Sequence, residues 1–148
     1  MLEIDKAVVD TITTDSDMIS LMGITSSDKR VYAWYPFKDI VYTINVSEVA
    51  IIYRNSIGMR PFLWSYPSQI SNITYFFRVL SISQLKVRQT SEKLIDLFDM
   101  SSIDTDNWSV KWIELGGIAD GMNEGSPTLP IVSKSITFNF TIVVKKGT

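Results

Sequence analysis

The stretch SKSITFNFTIVVKK, Ser133 to Lys146, limits the possible folds more than any other part of the chain. Ile136, Phe138, Phe140, Ile142 and Val144 alternate with Ser135, Thr137, Asn139 and Thr141. A period of two belongs to a β-strand, whose successive side chains point to opposite faces of a sheet. One face of this strand therefore lies on a core. The other carries Ser, Thr and Asn in place of Lys and Glu. It is polar enough for water and neutral enough to be covered by another chain without stripping water from a charge.

Upstream, the same reading gives an alternation of helices and strands. Leu2 to Met22 reads as helix, with Ile4, Val8 and Ile12 on one face, broken at Thr13–Asp17 and stopped by Gly23. Val31 to Tyr35 reads as a short strand. Val49 to Arg54 reads as a strand apolar on both faces, and hence inside a covered sheet. Ile73 to Ile82 is a long strand with Tyr75, Phe77 and Val79 on one face, expected to pair with the strand before it. Ser83 to Met100 switches to helical spacing at Val87, Ser91, Leu94, Ile95 and Phe98. Trp108, Val110 and Trp112 mark another strand, expected to end at Gly116–Gly117. This order predicts an α+β fold: a mainly antiparallel sheet of about five strands with helices packed on one face. One domain over residues 1–148 is expected, with loop excursions at 56–71 and 116–131.

Composition enters chiefly through what is missing. With 148 residues, no His and no Cys, the chain has no Ser-His-Asp or Cys-His machinery, no disulfide and no His- or Cys-ligated metal. The net charge of -2 offers nothing to draw a nucleic acid or an anionic membrane. The acidic start MLEIDKAVVDTI is not a signal peptide. No apolar run approaches the roughly 20 residues of a membrane span, so a soluble protein made in the cytoplasm is expected.

Three sets of residues invite a chemical reading. The glycine-rich GGIADGMNEG, Gly116 to Gly125, lacks the helix that a phosphate-binding loop needs after it, and Asp120 and Glu124 lack calcium-loop spacing. Asp15/Asp17 and Asp104/Asp106 sit where a helix starts or a turn is made, which Asp does unaided. No catalytic residue, metal or cofactor is expected from them. The aromatics have no basic groove beside them for nucleic acid, so core packing is their expected role. The excursion after Arg54 differs, because Arg60, Phe62, Trp64 and Tyr66 fall among Gly and Pro punctuation. Aromatic residues and Arg are enriched in interface hot spots, which makes these four a candidate partner interface.

Taken in order, DMISLMG, RVYAWYP, VAIIYRN, ITYFFRVLSI running into SQLKVRQTSEKLIDLFDM, then NWSVKWIEL and SKSITFNFTIVVKK resemble the tail terminator or tail completion proteins of long-tailed bacteriophages. The resemblance spans nearly the whole chain and is one of order, length and texture. The segments Pro36 to Ser47 and Ser56 to Ser71 are longer than its pattern. It implies a non-enzymatic virion protein at the neck, a homohexameric ring that caps the tail tube. Its partners would be further copies of itself, the tail tube protein and the head–tail connector, with DNA passing unread through the lumen and no membrane. Ser135, Thr137, Asn139 and Thr141 would then be the inter-subunit face. The alternatives are a tube or head-completion protein, and a small ligand-binding domain or enzyme built on carboxylates or tyrosines.

Overall fold

The computed structural model describes residues 2–33, 48–57, 70–121 and 131–144. Helix α1, Leu2–Thr14, is followed at once by α2, Ser16–Met22. Asp15 separates them: its backbone is extended, and its carboxylate accepts the Met18 N–H at 3.0 Å, capping α2 in place of continuing α1. Gly23 ends α2 at φ 70°, a left-handed conformation in which a side chain would also meet Glu48. The expected apolar stripe is real, since Ile4, Val8 and Ile12 are fully buried.

Strands β1 (Val31–Ala33), β2 (Ala50–Ile57) and β3 (Ile70–Ser81) follow, then helix α3 (Gln84–Phe98), then β4 (Ile103–Asp104), β5 (Trp108–Asp120) and β6 (Val132–Val144). They form one six-stranded sheet in the order β1-β2-β3-β6-β5-β4. Only β1 and β2 run parallel; the other pairs are antiparallel. The α+β class holds, with six strands among the described residues in place of about five. The extra one is Ile103–Asp104, which bonds beside Val110 and Ser109 and is too short to show any periodicity.

Register puts one set of side chains on the helix side of the sheet. Val79, Phe77 and Tyr75 of β3 stand beside Lys134, Ile136 and Phe138 of β6, and beside Ile51, Tyr53 and Asn55 of β2. Phe98 comes down from α3 into this layer, 5.6 Å from the Phe77 ring and 5.7 Å from Phe138. Ser83 caps α3 by accepting the Lys86 N–H at 3.3 Å. Ala50 and Ile52, on the opposite face of β2, are also fully buried, so this strand is covered on both sides as its composition requires.

Three expectations need correction. Strand β2 continues through Ser56 to Ile57 and β3 begins at Ile70, so the excursion is shorter than residues 56–71; the paired strands extend their own ladder to Ile57↔Ile73. Strand β5 does not stop at Gly116–Gly117 but runs on to Asp120, because a glycine at a bulge lets the ladder resume. Trp112 does not share a face with Trp108 and Val110. The register shift between Val110 and Trp112 inserts Lys111, so Trp112 turns to the side away from the described helices, 45% exposed, while Ile113 takes the buried position.

The start of α1 is pinned to the sheet by carboxylates. Glu3 accepts the side-chain N–H of Asn107 at 2.7 Å and the Thr105 hydroxyl at 3.1 Å. Asp5 accepts from Asn55 at 2.6 Å and from the hydroxyl of Tyr75, which is fully buried. Asp5→Ala leaves that hydroxyl in the core without its acceptor and is expected to cost about 1 to 3 kcal/mol in a urea melt. Burial, reinforced by Asp5, pushes the Tyr75 phenol far above its usual range, and burial also raises Tyr53 and Tyr32. A phenol that resists ionisation in the folded state stabilises it fully below the unfolded value, about pH 10. Stability is therefore expected to fall as pH rises above that point, with Tyr75 the last tyrosine to ionise in an absorbance titration.

Candidate assembly surface

The face of the sheet turned away from the described helices is where the neutral residues of β6 come together. Ser135, Thr137, Asn139 and Thr141 stand in register with Arg78, Phe76, Thr74 and Asn72 of β3 on one side. On the other side they meet Ala119, Gly117, Glu114 and Trp112 of β5. Asn139 is exposed, and Ser135, Thr137 and Thr141 are half-buried. The Thr74 hydroxyl donates to Asn139 Oδ1 at 3.2 Å and the Thr141 hydroxyl to Asn72 Oδ1 at 3.4 Å, fixing the amides across the strands. Gly116 is part of the same packing: a Cβ there would lie 3.0 Å from Asn139 Nδ2.

The face has a graded character. At one end, Ile52, Leu80 and Ser133 are buried, so that corner is closed. Towards Asn72 and Thr141 it is open and ends in Trp112. Charge sits on its flanks: the Arg54 guanidinium lies 4.6 Å over the Phe76 ring on one side, and exposed Glu114 lies on the other. Between them runs the uncharged band of β6. Arg54, Phe76, Trp112 and Glu114 were not singled out by the sequence. The alternation of β3 implied Phe76, but nothing local announces the bulge that turns Trp112 outward.

The other candidate residues are dispersed. Arg60, Phe62, Trp64 and Tyr66 lie outside the described residues, as does Glu124. Asp17 is ion-paired with Lys93 at 3.1 Å, and Asp104 accepts the Ser109 hydroxyl at 2.7 Å. Asp28 is held below the usual carboxylate range, first by the Tyr32 hydroxyl that donates to it at 2.8 Å, and serves to brace the turn into β1. Among the described residues no group of three or more acidic side chains is placed to hold a metal ion.

A cleft of about 600 Å³ opens on the helix side, between Gln84, Leu85 and Arg88 of α3 and Asp120 and Lys134 of the β5–β6 pair. It brings together two cations and one carboxylate, which lies 3.8 Å from Lys134. The buried Ser133 hydroxyl at its border has no hydrogen-bond partner among the described residues. That side chain shares the opposite face with Leu80 and packs against Gly121, so it is not a nucleophile for this space.

The fold thus defines a class: an α+β layer with its described helices on one side and, on the other, a face whose central strand β6 is polar and uncharged. Within that class, the chain is similar to a chain of a solved structure described as the virion of a native gene transfer agent (GTA) particle. The TM-score is 0.69 over 95% of this chain and 95% of that one, at 8% identity, which is a likeness of fold. No protein-family model and no curated protein matches the sequence. No helix among the described residues is long and apolar enough to cross a membrane.

Proposed function

We propose that this chain is a structural protein of a phage-type virion, and more specifically a tail terminator subunit that closes into a homohexameric ring, caps the tail tube and joins it to the head connector. The observation that carries the reading is the fold likeness to a virion chain over nearly the full length of both proteins. Beside it stands the open band of Ser135, Thr137, Asn139 and Thr141, whose own side chains a second copy can cover without desolvating a charge. The work is mechanical, and its free energy comes from contact area and shape, so no catalytic residue, metal or cofactor has a part in it.

In this reading DNA passes the lumen without base recognition, in keeping with a net charge of -2. Arg60, Phe62, Trp64 and Tyr66 are assigned to the partner interface, towards tube or connector. Changing Phe62 and Trp64 together to Ser is expected to weaken capture of tail tubes by at least tenfold while leaving the urea midpoint of the subunit unchanged.

The deciding experiment is the mass of the purified particle by light scattering, with negative-stain images, alone and with tail tubes added. A closed ring of defined mass, free or seated at tube ends, is the expected result. Long helical polymers would instead indicate a tube protein. A strict monomer at high concentration, with tubes present, rejects the ring.

A further inference from the structure

We propose that neighbouring copies join edge to edge, the β1 edge of one at Val31 and Ala33 meeting the β5 edge of the next at Ile118 and Asp120. The proposal rests on the assembly reading above and adds an edge contact beside the contact through the β6 face. Gly121 donates its N–H to the Ser133 carbonyl at 2.9 Å, and the ladder continues as Asp120↔Lys134, Ala119↔Ser135 and Ile118↔Ile136. In an antiparallel pair, bonded and non-bonded residues alternate. Gly117 and Ala119 therefore turn their backbone groups to β6, while Ile118 and Asp120 turn theirs away from it.

Lower on β5 that outer edge is closed. Strand β4 pairs with Ser109 and Val110, Met100 N–H reaches the Ile113 carbonyl at 2.9 Å, and the Asp99 carboxylate takes the Leu115 N–H at 3.1 Å. From Gly116 to Asp120 no strand pairs with it among the described residues, and every residue is exposed. Ile118 adds an apolar side chain, 47% exposed.

The far end of the sheet offers the counterpart. Ile51 donates to the Arg30 carbonyl at 2.9 Å in a parallel pairing that sets Val31 opposite Ile51. The backbone of Tyr32 therefore faces β2, and that of Val31 and Ala33 faces outward, where no strand among the described residues pairs with it. Each edge thus presents two residues spaced by two, with both donors and acceptors. Their charges are opposite: the Asp120 side chain is 87% exposed at one edge, and Lys29 is exposed at the other. Open edges template pairing with another strand. Two different edges at opposite ends of one sheet join head to tail, the arrangement that makes rings where the rotation closes and filaments where it does not.

Ile118→Pro removes the outward N–H and none of the bonds to β6. Light scattering across a dilution series, with circular dichroism of the same samples, is expected to show unchanged secondary structure and at least a tenfold higher concentration for half-assembly. Lys29→Glu and Asp120→Lys are each expected to weaken assembly, and the two together to restore it. The swap decides the matter if the proline variant fails to fold. Wild-type-like assembly of Ile118→Pro, or of both single charge variants, overturns the edge contact and leaves the ring reading standing. A wild-type protein that stays monomeric with tail tubes present overturns both.

Discussion

In the proposed ring, Thr137→Glu combined with Asn139→Lys is expected to weaken assembly at least a hundredfold while leaving the subunit folded. Each new charge has a local partner in the free protein. Thr137 shares its row with Phe76, over which Arg54 lies, and Asn139 stands directly beside Glu114. The free subunit is therefore expected to keep its urea midpoint to within about 1 kcal/mol, as surface substitutions commonly do. Assembly through this face would have to desolvate two long charged side chains that find nothing arranged for them on the neighbour. Stripping water from each charge and its neighbour costs several kcal/mol per ion, only partly offset by their attraction, and a net cost of about 3 kcal/mol is already more than a hundredfold in affinity. Light scattering reads the result directly. Wild-type mass at the same concentration would show that the β6 face is not buried in the assembly.

Phe98→Ala is expected to have the largest effect on folding. Phe98 is fully buried and stands among three other rings: Phe77 at 5.6 Å, Phe138 at 5.7 Å and Phe140 at 6.2 Å. It is the residue through which α3 closes onto β3 and β6. Truncation removes apolar burial from all four rings and leaves a cavity between a helix and a sheet, neither of which can shift far. The expected cost is about 3 to 5 kcal/mol, or roughly 8 to 16 °C in melting temperature for a chain of this size. Phe98→Leu should lose less than half of that. A change below about 1 kcal/mol for the alanine variant would contradict the packing of α3 described above.

The two variants separate two properties of one strand. Phe138 and Phe140 belong to the folding core, and Thr137 and Asn139, alternating with them, belong to the face proposed for assembly. Single-residue alternation in β6 puts the two roles on opposite sides of one backbone. A slip of one residue would exchange them, which is why the register of such a strand is strongly specified.

How much of this was legible in the sequence depends on the range of the interactions concerned. The stripe Ile4–Val8–Ile12, the capping Asp15 and Ser83, the left-handed Gly23 and the alternation of β6 are local. Each follows from a spacing or a residue type that acts within one or two turns of chain, and each stands in the structure as the chain spells it. The pairing of β2 with β3 was also within reach, because both strands are apolar and consecutive. The two-residue β4 was not legible: it exists only because β5 lies beside it. Nor was the outward turn of Trp112, which depends on an extra residue accommodated against β6. The passage of β5 through Gly116–Gly117 was hidden for the same reason, since two glycines read locally as a stop and a partner strand can override that preference. Sequence by itself determined which side chains alternate and where the helices begin and end. Only the tertiary structure decided which strand neighbours which, and so which faces and edges stay open, because bulges, short bridging strands and edge exposure are properties of pairs of strands.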